Sequence, residues 1–106
     1  MNANLSESIW LDDRDLCSAQ QLIEVSGLSD EEFLELIETG VIEAVDNTAQ
    51  VKFFQLRYIT IANIARRLRD DFELDTHGVA LAMTLLRHIE ELKEELLSTR
   101  ARLAHA

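Results

Sequence analysis

The chain has 106 residues, 47% of them apolar, and its formal net charge at pH 7 is −10. From this length we expect one compact domain and no second full one. Apolar runs are short, and the start (MNANLSES) lacks a basic region followed by an apolar core. We therefore expect no membrane span and no signal peptide, and we expect the protein to be cytoplasmic. The single cysteine, Cys17, excludes an internal disulfide and a thiolate metal cluster within one chain, and we expect it to be a buried structural thiol.

Acidic residues are concentrated in the first half of the chain. Residues 1–50 hold 12 acidic side chains and one basic one, whereas residues 51–106 hold 8 acidic and 9 basic ones. The net charges of the two halves are therefore −11 and +1. This imbalance has two interpretations, a solvated acidic face that aids solubility or a docking surface for a basic partner.

The N-terminal part predicts a strand, a loop and a first helix. Residues 8–11, Ser-Ile-Trp-Leu, predict a short strand, and the polar residues 12–15 predict a turn or exposed loop. Ser18 begins the capping-box pattern S-A-Q-Q, which predicts a helix from about Ala19 to Ser26. Gly27 can end this helix in the left-handed conformation.

The segment LSDEEFLELIETGVIEA, residues 28–44, predicts a second helix from about Asp30 to Thr39. Its S-D-E-E start is a second capping box, with Glu32 at the third helical position. We expect one side of this helix to be buried, with Leu36 at the margin of the buried set: Phe33, Leu34 and Ile37. The two helices form a helix-turn-helix pattern, in which the second helix usually touches DNA, yet this segment contains no Lys or Arg.

The middle of the chain predicts a hairpin and a third helix. Ala44 and Val45, a polar tip at 46–48 and residues 51–53 predict a small β hairpin, or wing. A helix from Phe54 to about Asp71 follows, with apolar residues at helical spacing: Ile61, Ile64, Ala65, Leu68 and Phe72. Four arginines fall mostly outside that stripe, where solvation or pairing with carboxylates is a more common role than ligand binding: Arg57, Arg66, Arg67 and Arg69.

Asp75 is the predicted N-cap of a last helix that runs from Thr76 almost to the C-terminus. About 28 residues give a rod of roughly 40 Å, longer than a small domain needs for its own core. Its apolar residues follow a heptad seam with one break at Thr99: Ala82, Leu85, Ile89, Leu92, Leu96 and Leu103. We favour a homodimer joined along this seam over a helix that packs back on its own chain.

The sequence offers none of the residue constellations that catalysis requires. His77, His88 and His105 are not spaced as a one-turn ligand pair, and the three glycines are isolated rather than gathered in a phosphate-binding loop. We therefore expect no enzyme activity, no metal site and no cofactor.

The order of these elements resembles the MerR superfamily. Within it, the segments LSDEEFLELIETGVIEA, RRLRDDFELD and GVALAMTLLRHIEELKEEL resemble the small chaperone-modulator proteins of the CbpM family. The most specific part is the junction LRDDFELDTHGVALAMTLL. The resemblance implies a mainly α fold, with a winged helix-turn-helix of MerR type and a small β hairpin in residues 1–74. A long C-terminal helix occupies residues 75–106, and the two parts form one compact unit.

The resemblance also implies a function. A CbpM-like protein binds the J-domain of a DnaJ-like co-chaperone of the CbpA type and inhibits it, which keeps it from stimulating DnaK. J-domains as a family carry a basic helix, and an acidic competitor could occupy it. Our candidate contacts lie on the second helix and before the first one: Asp12, Asp13, Asp15, Asp30, Glu31, Glu35 and Glu38.

A MerR-like DNA-binding transcriptional regulator is the alternative. DNA affinity comes largely from Lys and Arg that neutralise phosphates, and the second helix would instead bring carboxylates to the DNA. In the MerR-type activators that this chain resembles, the corresponding helix carries Arg beside its early hydrophobic residues. The matching positions in this chain hold Glu31 and Leu34. We therefore expect no nucleic-acid partner and no membrane partner. DNA binding would need a separate basic face formed by the four arginines of the third helix.

Overall fold

Four helices and two short strands make up residues 15–104, the part of the chain that the computed structural model describes. In chain order the elements are β1 (Leu16–Ser18), α1 (Ala19–Ser26), α2 (Asp30–Glu38), β2 (Phe53–Gln55), α3 (Arg57–Phe72) and α4 (Thr76–Ala104). The predicted strand at 8–11 and the candidate contacts Asp12 and Asp13 lie outside the described residues. The predominance of helix, the small antiparallel sheet and the long C-terminal helix confirm the predicted fold class.

Both helices of the helix-turn-helix begin with the predicted capping boxes. Ser18 Oγ accepts a hydrogen bond from the Gln21 backbone N–H at 3.1 Å, and the Gln21 side chain accepts one from the Ser18 N–H at 2.8 Å. Ser29 and Glu32 repeat this exchange at 3.0 and 2.9 Å. Gly27, with a φ of 82°, ends α1 in the left-handed conformation. The caps satisfy backbone groups that a helix start leaves unpaired, and each contributes about 1 kcal/mol to stability.

One side of α2 packs in the core, but this side differs from the predicted one. Phe33 and Leu36 are buried, and the Phe33 ring meets the Phe54 ring edge-on at a centroid distance of 5.4 Å. Leu34, which we expected in the core, is 54% exposed, whereas Leu36 is fully buried. Successive helical residues are rotated by about 100°, so positions 34 and 36 fall on opposite flanks of the side formed by Phe33 and Ile37. The packing of the neighbouring elements buries the Leu36 flank and leaves the Leu34 flank exposed.

The two strands pair differently from the predicted hairpin. β1 and β2 are antiparallel, with Cys17 opposite Phe54, and both side chains are buried. Val45, in the expected first arm, donates a backbone hydrogen bond to Phe53 O at 2.9 Å but lies outside both strands. Pairing with β1 buries Cys17 and Phe54 in the core, whereas Val45 is exposed. The sheet therefore ties the start of α1 to the start of α3.

The helix α3 packs against both α1 and α4. Its buried residues are Tyr58, Ala62 and Ala65, and the small alanines let the neighbouring helices approach closely. Three residues of the predicted stripe are partly buried against this core: Ile61, Ile64 and Leu68. Phe72 was wrongly placed in the stripe, since it is 67% exposed. The helix ends at Phe72, and Leu74 from the following turn packs against the core instead.

The helix α4 begins where predicted, with Asp75 Oδ1 accepting a hydrogen bond from the Gly78 N–H at 2.7 Å. It has 29 residues, and its length is therefore about 43 Å. Of the predicted seam, Ala82 is half-buried and the others are exposed: Leu85, Ile89, Leu92, Leu96 and Leu103. Residues 88–104 are exposed throughout, so this half of α4 does not pack back on the described part of its own chain. The homodimer stays a prediction.

Candidate functional site

The face of α2 that points away from the core carries Glu31, Leu34, Glu35 and Glu38. Spacings of three and four place these residues on one side of a helix. Glu31 and Glu38 are exposed, and 23% of the Glu35 side chain is exposed. The structure thus brings three of the predicted acidic contacts together and adds Leu34, which sequence reasoning had assigned to the core.

This face of α2 forms one wall of a concave site that we call the acidic groove. The start of α4 forms the other wall, and the cavity between them has a volume of about 430 Å³. The lining residues are Glu31, Leu34, Glu35, Glu38, Asp75, Thr76 and His77. Four of these seven residues carry carboxylates and none of the seven is Lys or Arg, so the groove has a negative potential.

A contact between Glu35 and His77 joins the two walls. His77 Nδ1 lies 3.0 Å from Glu35 Oε2, which is a hydrogen-bonding distance. The His77 side chain is largely exposed, whereas Glu35 is partly buried. Glu35 therefore has a partner within the protein, while Glu31 and Glu38 expose their carboxylates on the same face.

Two further candidate contacts, Asp15 and Asp30, do not line the acidic groove. Asp30 is exposed in the first turn of α2, where its charge suits the positive end of the helix dipole. Asp15 is exposed before β1, and its backbone oxygen accepts a hydrogen bond from the Leu56 N–H at 2.8 Å. The structure therefore does not gather all the predicted acidic residues into one site.

Glu32 belongs to the folding core rather than to the surface. Its buried carboxylate accepts hydrogen bonds from Arg69 Nη1 at 2.8 Å and from the Ser29 N–H at 2.9 Å. Arg69 also donates to Gly27 O at 3.3 Å and pairs with Asp70 at 3.0 Å. The hydrogen bond from Arg69 lowers the pKa of Asp70, and the Asp70 and Glu32 carboxylates raise the pKa of Arg69. This network connects α2 and the turn before it to the end of α3.

Two of the other three arginines of α3 also have partners within the chain. Arg66 pairs with Asp70 at 3.2 Å. The Arg57 guanidinium lies 4.3 Å from the centroid of the Tyr58 ring and donates to the Tyr58 hydroxyl at 2.9 Å. Arg67 is exposed. Arg66 and Arg69 thus pair with carboxylates and Arg67 is exposed, which are the two roles that we expected of these arginines.

A second cavity, of about 570 Å³, lies between α3, α4 and the segment that follows α2. Its apolar lining includes Tyr58, Ile61 and Met83. Its charged lining residues have both signs: Arg57, Arg87, Glu43, Glu90 and Glu91. Because opposite charges are mixed here, this cavity does not favour a basic partner in the way the acidic groove does.

The described part of the chain contains no group of three or more His, Cys, Asp or Glu residues arranged to hold a metal ion. Within residues 15–104, no helix combines the length and the apolar character needed to cross a membrane. Cys17 is a free, buried cysteine, and its burial raises the pKa of the thiol. It therefore has the buried position that we expected.

A family model described as MerR HTH family regulatory protein matches residues 17–101. The chain belongs to the MerR family. This MerR-family protein is similar to proteins named Chaperone modulatory protein CbpM. The one from Citrobacter koseri is 34% identical over 70 residues and the one from Salmonella arizonae is 36% identical over 70 residues. Each match covers 66% of this chain and 69% of the relative. The chain is therefore a CbpM-like member of the MerR family, as the resemblance predicted.

Proposed function

We propose that this CbpM-like protein is a cytoplasmic chaperone modulator that binds the J-domain of a DnaJ-like co-chaperone of the CbpA type. Bound there, it inhibits the co-chaperone by competing with DnaK for the J-domain. The observation that carries the proposal is the acidic groove between α2 and α4, in a chain whose relatives are named chaperone modulatory proteins.

A basic helix is the element of the J-domain that suits this groove. J-domains as a family carry such a helix, which normally meets an acidic surface of DnaK. The exposed carboxylates of Glu31 and Glu38 attract and orient a basic surface, which raises the association rate and selects the partner. Exposed charges contribute little net binding energy, so most of the affinity comes from apolar contacts at the centre of the interface.

The proposed activity is binding and competition, which requires no catalytic group, cofactor or metal ion. Occupation of the J-domain is sufficient to exclude DnaK, because two proteins cannot contact the same surface at once. The family is described as regulatory and the relatives are named chaperone modulatory proteins, which supports a non-enzymatic protein.

A MerR-like DNA-binding regulator is the alternative, favoured by the helix-turn-helix fold and by the family description. DNA binding draws much of its affinity from Lys and Arg side chains that neutralise phosphates. The helix α2 contains neither, and its exposed carboxylates repel a polyanion. Arg57, Arg66 and Arg69 already have partners within the chain. DNA binding therefore ranks second.

We also propose that two copies of the protein associate along α4. Leu85, Ile89 and Leu92 are exposed at heptad spacing, and pairing two such helices removes their apolar side chains from water. The homodimer carries two acidic grooves, one on each copy, and can therefore engage two J-domains.

Reversal of the two exposed groove carboxylates tests the docking surface. The double variant E31K/E38K should bind an isolated CbpA-type J-domain at least ~10-fold more weakly than the parent in calorimetric titration, because two attractions become repulsions. The matched control is E24K/E43K, which changes the net charge equally at exposed glutamates outside the acidic groove. Equal losses in both double variants would mean that overall charge governs binding and that the groove is not the docking surface.

A further inference from the structure

Leu34 is an apolar side chain within a charged surface. It is 54% exposed and lines the acidic groove, with Glu31 one helical turn before it and Glu38 one turn after it. A single exposed leucine is ordinary on a protein surface. Leu34 differs because it lies in a concave site, faces a second wall from α4 and is flanked by carboxylates. An apolar centre surrounded by a polar rim is the usual arrangement of the residues that provide binding energy in protein interfaces.

The Glu35 carboxylate shapes the groove rather than offering a charge to a partner. Its 3.0 Å contact with His77 joins α2 to the start of α4. A partner cation that approached Glu35 Oε2 would compete with His77 for it. Glu31 and Glu38 are exposed, and a cation can reach them without such a change.

The spacing of these residues defines the pattern that a partner must present. Residues 31 and 38 are seven positions apart, which is about 10 Å along a helix axis, and Leu34 lies between them. A partner helix that carries one cation a turn before an apolar residue and another a turn after it has the same spacing of side chains as this face of α2. Laid along α2, such a helix places its apolar residue opposite Leu34 and its cations opposite the two glutamates.

We infer that the acidic groove receives a basic amphipathic helix whose central apolar side chain packs against Leu34, while Lys or Arg residues one turn before and after it pair with Glu31 and Glu38. This inference rests on the proposed function and deepens it, because it names the surface pattern of the J-domain that binds. Leu34 provides most of the affinity, and the two glutamates orient the helix. The loss of affinity on truncation of Leu34 should therefore not depend on salt, whereas the loss on neutralisation of Glu38 should.

The test is a calorimetric titration of an isolated CbpA-type J-domain into the full chain at low and at high ionic strength. Leu34→Ala should weaken binding about 30-fold at both ionic strengths, because the lost contact is apolar. Glu38→Gln should weaken binding about threefold at low ionic strength only, because salt screens exposed charges. Val25→Ala is the matched control: Val25 is 60% exposed on α1, outside the groove, and its truncation should change the affinity less than about twofold.

The outcomes separate this inference from the proposed function. Alanine is a strong helix former, and thermal unfolding followed by circular dichroism verifies that both alanine variants remain folded. If the parent binds and Leu34→Ala binds equally well, the inference is wrong, and the proposed function stands with another contact surface. If the parent does not bind the J-domain, the proposed function is wrong and the inference falls with it. An affinity of Glu38→Gln that equals the parent's at low ionic strength would overturn the pairing with Glu38.

Discussion

Neighbouring acidic residues of this protein have different roles. Glu32 is buried, closes a capping box and pairs with Arg69, whereas Glu31 and Glu38 are exposed and line the acidic groove. Each step along a helix rotates the side chain by about 100°, so consecutive glutamates point to different surroundings. A count of acidic residues therefore overestimates the number of carboxylates that a partner can reach.

The Arg69 network makes a testable contribution to stability. Arg69→Met should lower the free energy of unfolding by about 1–3 kcal/mol, because it leaves the buried Glu32 carboxylate without its cation and Gly27 O without a donor. Urea unfolding followed by circular dichroism measures this change. Arg67→Met, at an exposed position of the same helix, should change the free energy by less than about 0.5 kcal/mol. Similar losses in both variants would contradict a stabilising role for the network.

Single residues were predictable from sequence where their interactions are local. The capping boxes at Ser18 and Ser29 were predicted correctly, because each links residues three positions apart. The pair of Glu32 and Arg69 spans 37 positions and has no local signal. The burial of Leu36 instead of Leu34 likewise had no local signal, since the two positions lie about 80° to either side of the centre of a helical wheel placed between Phe33 and Ile37.

Whole elements were also predictable from sequence only where their signals are local. The helix α1 has the bounds that the sequence predicted, and α4 starts at the predicted residue. Both predictions succeeded because helix caps and helical periodicity depend on residues that are close together in the sequence. The strands have three residues each and carry too little pattern to define their partners. Two helices lie between β1 and β2 in the chain, so a search for a local hairpin could not find this pairing.

The exposed seam of α4 gives a prediction at the level of one element. The parent should sediment as a dimer at micromolar concentration, and Ile89→Asp or Leu92→Asp should sediment as a monomer, because each places a carboxylate in an apolar helix contact. Analytical ultracentrifugation measures this difference. Leu97→Asp is the control, since Leu97 is exposed on α4 outside the seam and its replacement should leave the dimer intact. Identical sedimentation of the parent and the seam variants would show that this seam does not join two copies.

For the molecule as a whole, the charge distribution along the sequence indicates one wall of the acidic groove but not the other. The excess of negative charge in residues 1–50 includes the α2 wall of the acidic groove. The second wall, with Asp75 and His77, comes from the other half of the chain, and only the packing of α4 beside α2 brings it there. A MerR fold whose second helix is acidic and holds no Lys or Arg is better suited to a basic protein surface than to DNA.

The most direct test is a titration of the full chain with an isolated CbpA-type J-domain and, in parallel, with nonspecific duplex DNA, at low and at physiological salt. We predict micromolar or tighter binding to the J-domain and no binding to DNA, because α2 presents carboxylates and an apolar centre rather than cations. Salt-sensitive binding to DNA without binding to the J-domain would contradict this account and would make the arginines of α3 the functional surface.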